Sequence, residues 1–148
     1  MNRIVILILF FFIVIINNLS AKEIFLSLKK NKVNVRYGPG LDYPIKYIYE
    51  KINLPIKLID RKENFRRIID QKNNSGWIHI SQLKKSNSII ILEDKILFKK
   101  PTNFSKPLFL VKKGRMLLVK RCKIDWCFIE SNKYSGWIKT ENIWGKVN

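Results

Sequence analysis

Few side chains in this 148-residue chain have the type and spacing for covalent or acid–base chemistry. Catalysis by side chains needs a nucleophile beside a base, a pair of carboxylates, or metal ligands at workable spacing. The chain has one histidine, His79, two cysteines, Cys122 and Cys127, and 11 scattered Asp and Glu with no evident acid/base pair. Neither a Gly-x-Ser-x-Gly elbow nor a His-Glu-x-x-His pattern occurs. His79 follows Trp77-Ile78 and reads as a residue on a strand surface. No catalytic residue, metal ligand or cofactor motif is assigned, and the expected activity is binding without catalysis.

Four residues separate Cys122 from Cys127. In an exported protein two cysteines suggest a disulfide, and this spacing sets them on facing strands of a tight hairpin. A redox pair, which usually has Cys-x-x-Cys spacing, and a metal site, which would need further ligands, are the other readings. Binding chemistry concentrates nearer the amino terminus. Arg36, Tyr37, Tyr43 and Tyr47 offer a cation beside phenolic rings, the combination that grips an extended peptide or a carboxylate. Between them Gly38-Pro39-Gly40 forms a bend that few other sequences adopt. The competing reading has Arg36 hydrogen-bonding loop carbonyls while the tyrosines cover the core.

The elements that must position these residues form a repeat. Ser75-Gly76-Trp77-Ile78 returns as Ser135-Gly136-Trp137-Ile138 at an offset of 60. Leu54 to Leu58 align with Arg115 to Val119 at an offset of 61, which sets Phe65 on Trp126 and Asn53 on Gly114. Asn and Gly share tolerance of the left-handed conformation, as a tight turn entering a strand requires. Val33-Asn34-Val35-Arg36 pairs with Ile96-Leu97-Phe98-Lys99, and Pro44 with Pro107, at an offset of 63.

Each unit shows short β-branched and aromatic runs punctuated by Gly, Pro and Asn, with no sustained helical period. Strands are expected at about 32–36, 45–50, 54–60, 65–70 and 76–80, then at 95–99, 108–111, 115–121, 126–130 and 136–140. Five strands in so small a unit imply a closed or half-open barrel, because closure removes edges. Trp77 and Trp137 recur behind glycines, which suggests packing over a barrel end. The terminal Ile143-Trp144-Gly145 lies beyond the last strand and is expected to fold back over the junction of the units.

The wording Val33-Asn34-Val35-Arg36-Tyr37-Gly38-Pro39-Gly40, then Tyr43-Pro44, and finally Gly76-Trp77-Ile78 and Leu83 resembles bacterial SH3-like domains over most of the first unit. The second unit is similar in its closing half, through Trp126 and Gly136-Trp137-Ile138, and departs where Lys99-Lys100-Pro101-Thr102 stands in place of the arginine and the Gly-Pro-Gly turn. The resemblance implies an all-β fold of two tandem small SH3-like barrels: 22–83, a linker at 84–92, and 93–148. It also implies a role as a non-catalytic adaptor of envelope proteins, some of which hold peptidoglycan peptides. Fold alone carries no activity.

Ahead of these units, Asn2-Arg3 precede an apolar run from Ile4 to Ile16 and then Leu19-Ser20-Ala21, the pattern of a secretory signal peptide over 1–21. The run is shorter than the roughly 20 residues of a spanning helix, which favours cleavage after Ala21. Leu19, large for its place, leaves an uncleaved inner-membrane anchor as the alternative. Lys22 rather than Cys follows, so no lipid attachment is expected.

The formal charge is +18, from 29 Lys and Arg against 11 Asp and Glu, and the length excludes a large enzyme with a separate substrate domain. Basic pairs recur at 61–62, 66–67, 84–85, 99–100, 112–113 and 120–121, either as solvated faces or as one basic surface. Such an excess attracts anionic neighbours, although 22 Lys, 24 Ile and 14 Asn also fit the bias of an AT-rich genome. Export, to the periplasm or beyond, argues against nucleic acid. Peptidoglycan, an envelope protein or an anionic lipid surface are the expected partners.

Overall fold

A computed structural model describes residues 23–147, so the expected signal peptide or anchor at 1–21 lies outside the described residues. The first unit is built of β1 (Phe25–Leu28), β2 (Val33–Arg36), β3 (Ile45–Tyr49), β4 (Pro55–Lys62), β5 (Phe65–Ile69), β6 (Ser75–His79) and β7 (Leu83–Lys85). The second contains β8 (Ser88–Ile91), β9 (Lys95–Phe98), β10 (Pro107–Val111), β11 (Met116–Lys123), β12 (Trp126–Glu130), β13 (Ser135–Lys139) and β14 (Ile143–Trp144). The sheet orders are β3-β2-β6-β5-β4-β1-β7 and β10-β9-β13-β12-β11-β8-β14, one topology used twice.

Each sheet curls around its own core. Leu28, Val33, Val35, Ile56, Ile68 and Ile78 fill the first. Ile89, Ile91, Leu97, Leu117, Ile129 and Ile138 are among those that fill the second. Alternation along the strands puts every second residue inward. The turn ahead of the long strand is left-handed in both units, with φ of 64° at Asn53 and 82° at Gly114, as their residue types foretell.

Two expectations change. Each barrel has seven strands, because Phe25–Leu28 and Ser88–Ile91 pair with β4 and β11 respectively, and β7 and β14 close onto them. The segment expected as a linker is therefore largely strand: Leu83–Lys85 belongs to the first sheet and Ser88–Ile91, wholly buried, to the second. Leu83–Lys85 is too short, and Phe25–Leu28 and Ser88–Ile91 are too apolar, to show an alternating period.

The opening alignment also shifts by one residue. Trp77 faces Arg36, and Trp137 faces Phe98, so Phe98 rather than Lys99 stands where Arg36 does. Val35 and Leu97 are both fully buried, which fixes the offset at 62. A slip of one residue turns each side chain to the opposite face, so burial decides the register. Lys95 takes the inward place of Val33, and its ammonium is satisfied by Glu93 at 2.9 Å. Pro39 then matches Pro101. Both prolines sit at the centre of a three-residue turn, closed by Gly40 N–H to the Gly38 carbonyl (3.1 Å) and by Thr102 N–H to the Lys100 carbonyl (2.8 Å). A proline-centred turn of this kind does not need the flanking glycines.

The barrels meet at a junction of small polar groups. Ser27 Oγ lies 3.2 Å from Ser88 Oγ, Ser88 Oγ donates to the Asn53 carbonyl, and Asn87 N–H donates to Ser27 Oγ at 3.3 Å. Trp144 folds back as expected. Its indole N–H donates to the Pro55 carbonyl at 3.0 Å, and its ring meets Phe25 edge-on at 5.3 Å. Gly145 follows with φ of 112°, where a Cβ would press to 2.8 Å from the Ser88 carbonyl, so glycine alone fits.

Candidate functional site

Strand register assembles a cationic cleft on the outer face of the first barrel. Arg36 on β2 lies opposite Trp77 on β6, and Arg67 on β5 lies opposite Trp77 from the other side. Ile78 and Gly76 turn inward, so Trp77 and its two flanking arginines turn outward together. Trp77 is thus part of a barrel face, not of a barrel end. Arg36, Tyr37, Lys46, Arg67, Ser75, Gly76 and Trp77 line a cleft of about 310 Å³.

Arg36 Nη1 donates to the Tyr43 carbonyl at 2.6 Å, and Lys46 Nζ donates to the Ser75 carbonyl at 3.0 Å while lying 5.7 Å from the centre of the Tyr37 ring. Among the described residues no carboxylate forms an ion pair with Arg36, Lys46 or Arg67, and none lines the cleft. Like charges lining one cleft repel one another, and an anion among them offsets that repulsion.

Of the expected binding residues, Arg36 and Tyr37 line this cleft. Gly38, Pro39, Gly40 and Tyr43 shape the loop beside it. The Tyr43 ring seats directly on Gly38, leaving no room for a side chain there. One guanidinium nitrogen of Arg36 secures the loop through the Tyr43 carbonyl, and the residue also lines the cleft.

Tyr47 is not in the site. It packs against the core, with its hydroxyl 3.3 Å from that of Tyr49, which donates to Asp70 Oδ2 at 3.0 Å. Alternation on β3 explains this: Lys46 points out and Tyr47 in. Asp70, only 6% exposed, also accepts from the Lys72 and Asn74 N–H groups and the Asn74 side chain. Burial alone would raise its pKa. These hydrogen bonds to the carboxylate outweigh burial and hold it below the usual value. Burial and the Tyr47 contact push the Tyr49 hydroxyl well above the ordinary phenol range. Lys46 and Arg67 line the cleft although the sequence motifs do not mark them; strand pairing brings them there.

His79 has a structural position. Its Nδ1 accepts from Ser81 N–H at 3.3 Å at the head of a short 3₁₀ turn, and its ring meets Phe65 edge-on. Cys122 and Cys127 lie directly opposite each other on β11 and β12 and form a disulfide. Trp137, flanked by Phe98 and Phe128, occupies the place of Trp77.

Two small barrels of one topology, each with a proline-centred loop beside a Gly-Trp-Ile strand, define a tandem SH3-like protein. The bacterial SH3 domain family matches residues 29–85 and 95–145, and the chain belongs to that family. No curated protein matches it. Among solved structures it is similar to NlpC2 from Trichomonas vaginalis, at 14% identity and a TM-score of 0.38, covering 84% of this chain and 49% of that one. NlpC1 from Trichomonas vaginalis gives 14% identity, a TM-score of 0.39, and coverage of 88% and 48%. An NlpC/P60 family protein from Bacillus cereus gives 9%, 0.38, and coverage of 80% and 55%. The chain spans about half the length of each of these proteins.

Proposed function

We propose that this chain is an exported, non-catalytic binding module of the bacterial cell envelope, whose first barrel takes the carboxylates of peptidoglycan peptides. The observation that carries this reading is the cleft itself: Arg36, Lys46 and Arg67 surround Trp77 and Tyr37 with no acid among the lining residues. Arginine presents paired donors that match a carboxylate, and a tyrosine ring beside it offers an apolar wall for the peptide. The leader-like residues 4–21 and the basic balance support an envelope location.

Co-sedimentation with peptidoglycan sacculi at low and high salt tests it, comparing the wild type with the Arg36→Gln/Arg67→Gln variant. Specific recognition predicts binding that survives moderate salt and falls at least about tenfold in the variant. Equal sedimentation of both proteins would refute the cleft.

An apolar docking surface for an envelope enzyme or transporter is a second reading. Edge strand β10 favours it, exposing Leu108, Phe109 and Leu110 beside a backbone edge with no neighbouring strand among the described residues. Docking there would change little with salt.

A further inference from the structure

We infer that the second barrel carries its own oxyanion site, built on Arg121 and Lys123 where they lie over Phe128 and Trp137. The guanidinium of Arg121 is 4.8 Å from the centre of the Phe128 ring and 5.5 Å from that of Trp137. Lys123 Nζ is 6.0 Å from Trp137. The register explains the assembly: Arg121 faces Phe128, and Phe128 faces Trp137, in one cross-strand row on the outer face. Trp137 is only 7% exposed although it points away from the core.

A cation over an aromatic face is attracted to the ring, yet covering a tryptophan requires no charge. Arginine lying against rings keeps the donors at its rim for another partner, and they match carboxylate or phosphate oxygens. Among the described residues no carboxylate takes that role: Glu130, the acid whose field reaches Arg121, is bound by Lys120 at 2.8 Å. The disulfide sits between the two cations in the sequence. Cys122 turns to the opposite face, so Arg121 and Lys123 emerge on the same side, and the bond to Cys127 holds the hairpin that presents them.

The row is the counterpart of the cross-strand row that runs through the first barrel's cleft, with its chemistry exchanged. Asp60, Arg67, Trp77 and Arg36 become Arg121, Phe128, Trp137 and Phe98; Asp60 is paired with Arg67 on the neighbouring strand but does not line that cleft. The ligand class is an oxyanion, a carboxylate or a phosphate, and this site stands independently of the proposal for the first barrel.

The test is NMR titration of the purified protein with sodium phosphate, sodium acetate and sodium chloride at matched ionic strength, following the Arg121 Nε–H and Trp137 indole signals. A saturable shift with phosphate, acetate or both, absent with chloride, is expected; which salt acts identifies the source chemistry. Arg121→Lys keeps the charge but removes the planar donors, and should weaken binding by about tenfold. Lys123→Gln should weaken it less and serves as the check if the first variant unfolds. Linear shifts without saturation, or undiminished binding by a folded Arg121→Lys protein, would overturn the site. The Arg36→Gln/Arg67→Gln variant should leave these signals unchanged, so failure at one barrel is distinguishable from failure at the other.

Discussion

Replacing Trp144 with alanine should uncouple the two barrels. Its indole links β14 of the second barrel to the Pro55 carbonyl and the Phe25 ring of the first. Losing the hydrogen bond costs about 1 kcal/mol. Loss of the edge-on aromatic pair costs about another 1. The ring is half-buried, so its removed apolar contact adds roughly 1.5. A total of about 3.5 kcal/mol is of the order of the whole stability of a small domain. Calorimetry should show one cooperative transition for the wild type, with van't Hoff and calorimetric enthalpies equal. The variant should melt about 15 °C lower or split into two transitions, since 1 kcal/mol corresponds to at least about 4 °C in units of this size. Trp144→Phe, which retains the ring but loses the N–H, should lie between them. A Trp144→Ala protein melting in one transition within about 2 °C of the wild type would refute the coupling.

Asp70 gives a pH dependence of definite sign. Its pKa is lower in the folded protein, so its contribution is complete above the unfolded value near 4 and is lost as pH falls through the folded one. Asp70→Asn should lower stability by about 2 kcal/mol at neutral pH and flatten the loss on acidification, as measured by urea melts at several pH values. Ile124 points to a stabilising change. It is 98% exposed with φ of 40° at the β11–β12 turn, a conformation costly for a β-branched residue. Ile124→Asn or Ile124→Gly should raise stability by about 1 kcal/mol in thermal melts, and no gain would show that the disulfide already absorbs the strain.

The fold was legible because its punctuation repeats. Gly-Trp-Ile, the Asn53 and Gly114 turns and the paired cysteines are local signals, and each keeps its meaning in three dimensions. What escaped depends on pairing between distant segments. Phe25–Leu28 and Ser88–Ile91 show no period of two because they are buried on both faces. At the second barrel's opening, matching Pro44 with Pro107 suggests an offset of 63, whereas the hydrogen bonds from Tyr37 N–H to Pro44 and from Lys99 N–H to Lys106 set it at 62. Arg67 stands out in the sequence only as half of the basic pair 66–67, because it lies 31 residues from Arg36 and meets it only through Trp77. Tyr47 looked like a site residue because its neighbours are; its parity on β3 sends it to the core.

The register of the second barrel fixes which side chains flank its central tryptophan. With Lys99 matched to Arg36, the second barrel would look like a weakened copy of the first, a cation kept and a turn lost. Phe98 stands there instead, and the proline-centred turn survives. The second barrel has therefore moved its cations one strand further, to β11, and placed rings where the first has arginines. Scaffold and central tryptophan are constant while the flanking positions differ. The flanks set the chemistry that each face offers, and the junction at Trp144 sets how the faces are presented together. If both faces take oxyanions, a ligand that repeats one negative charge engages the two together, and paired titrations of Arg36 and Arg121 variants show whether the sites act jointly or apart.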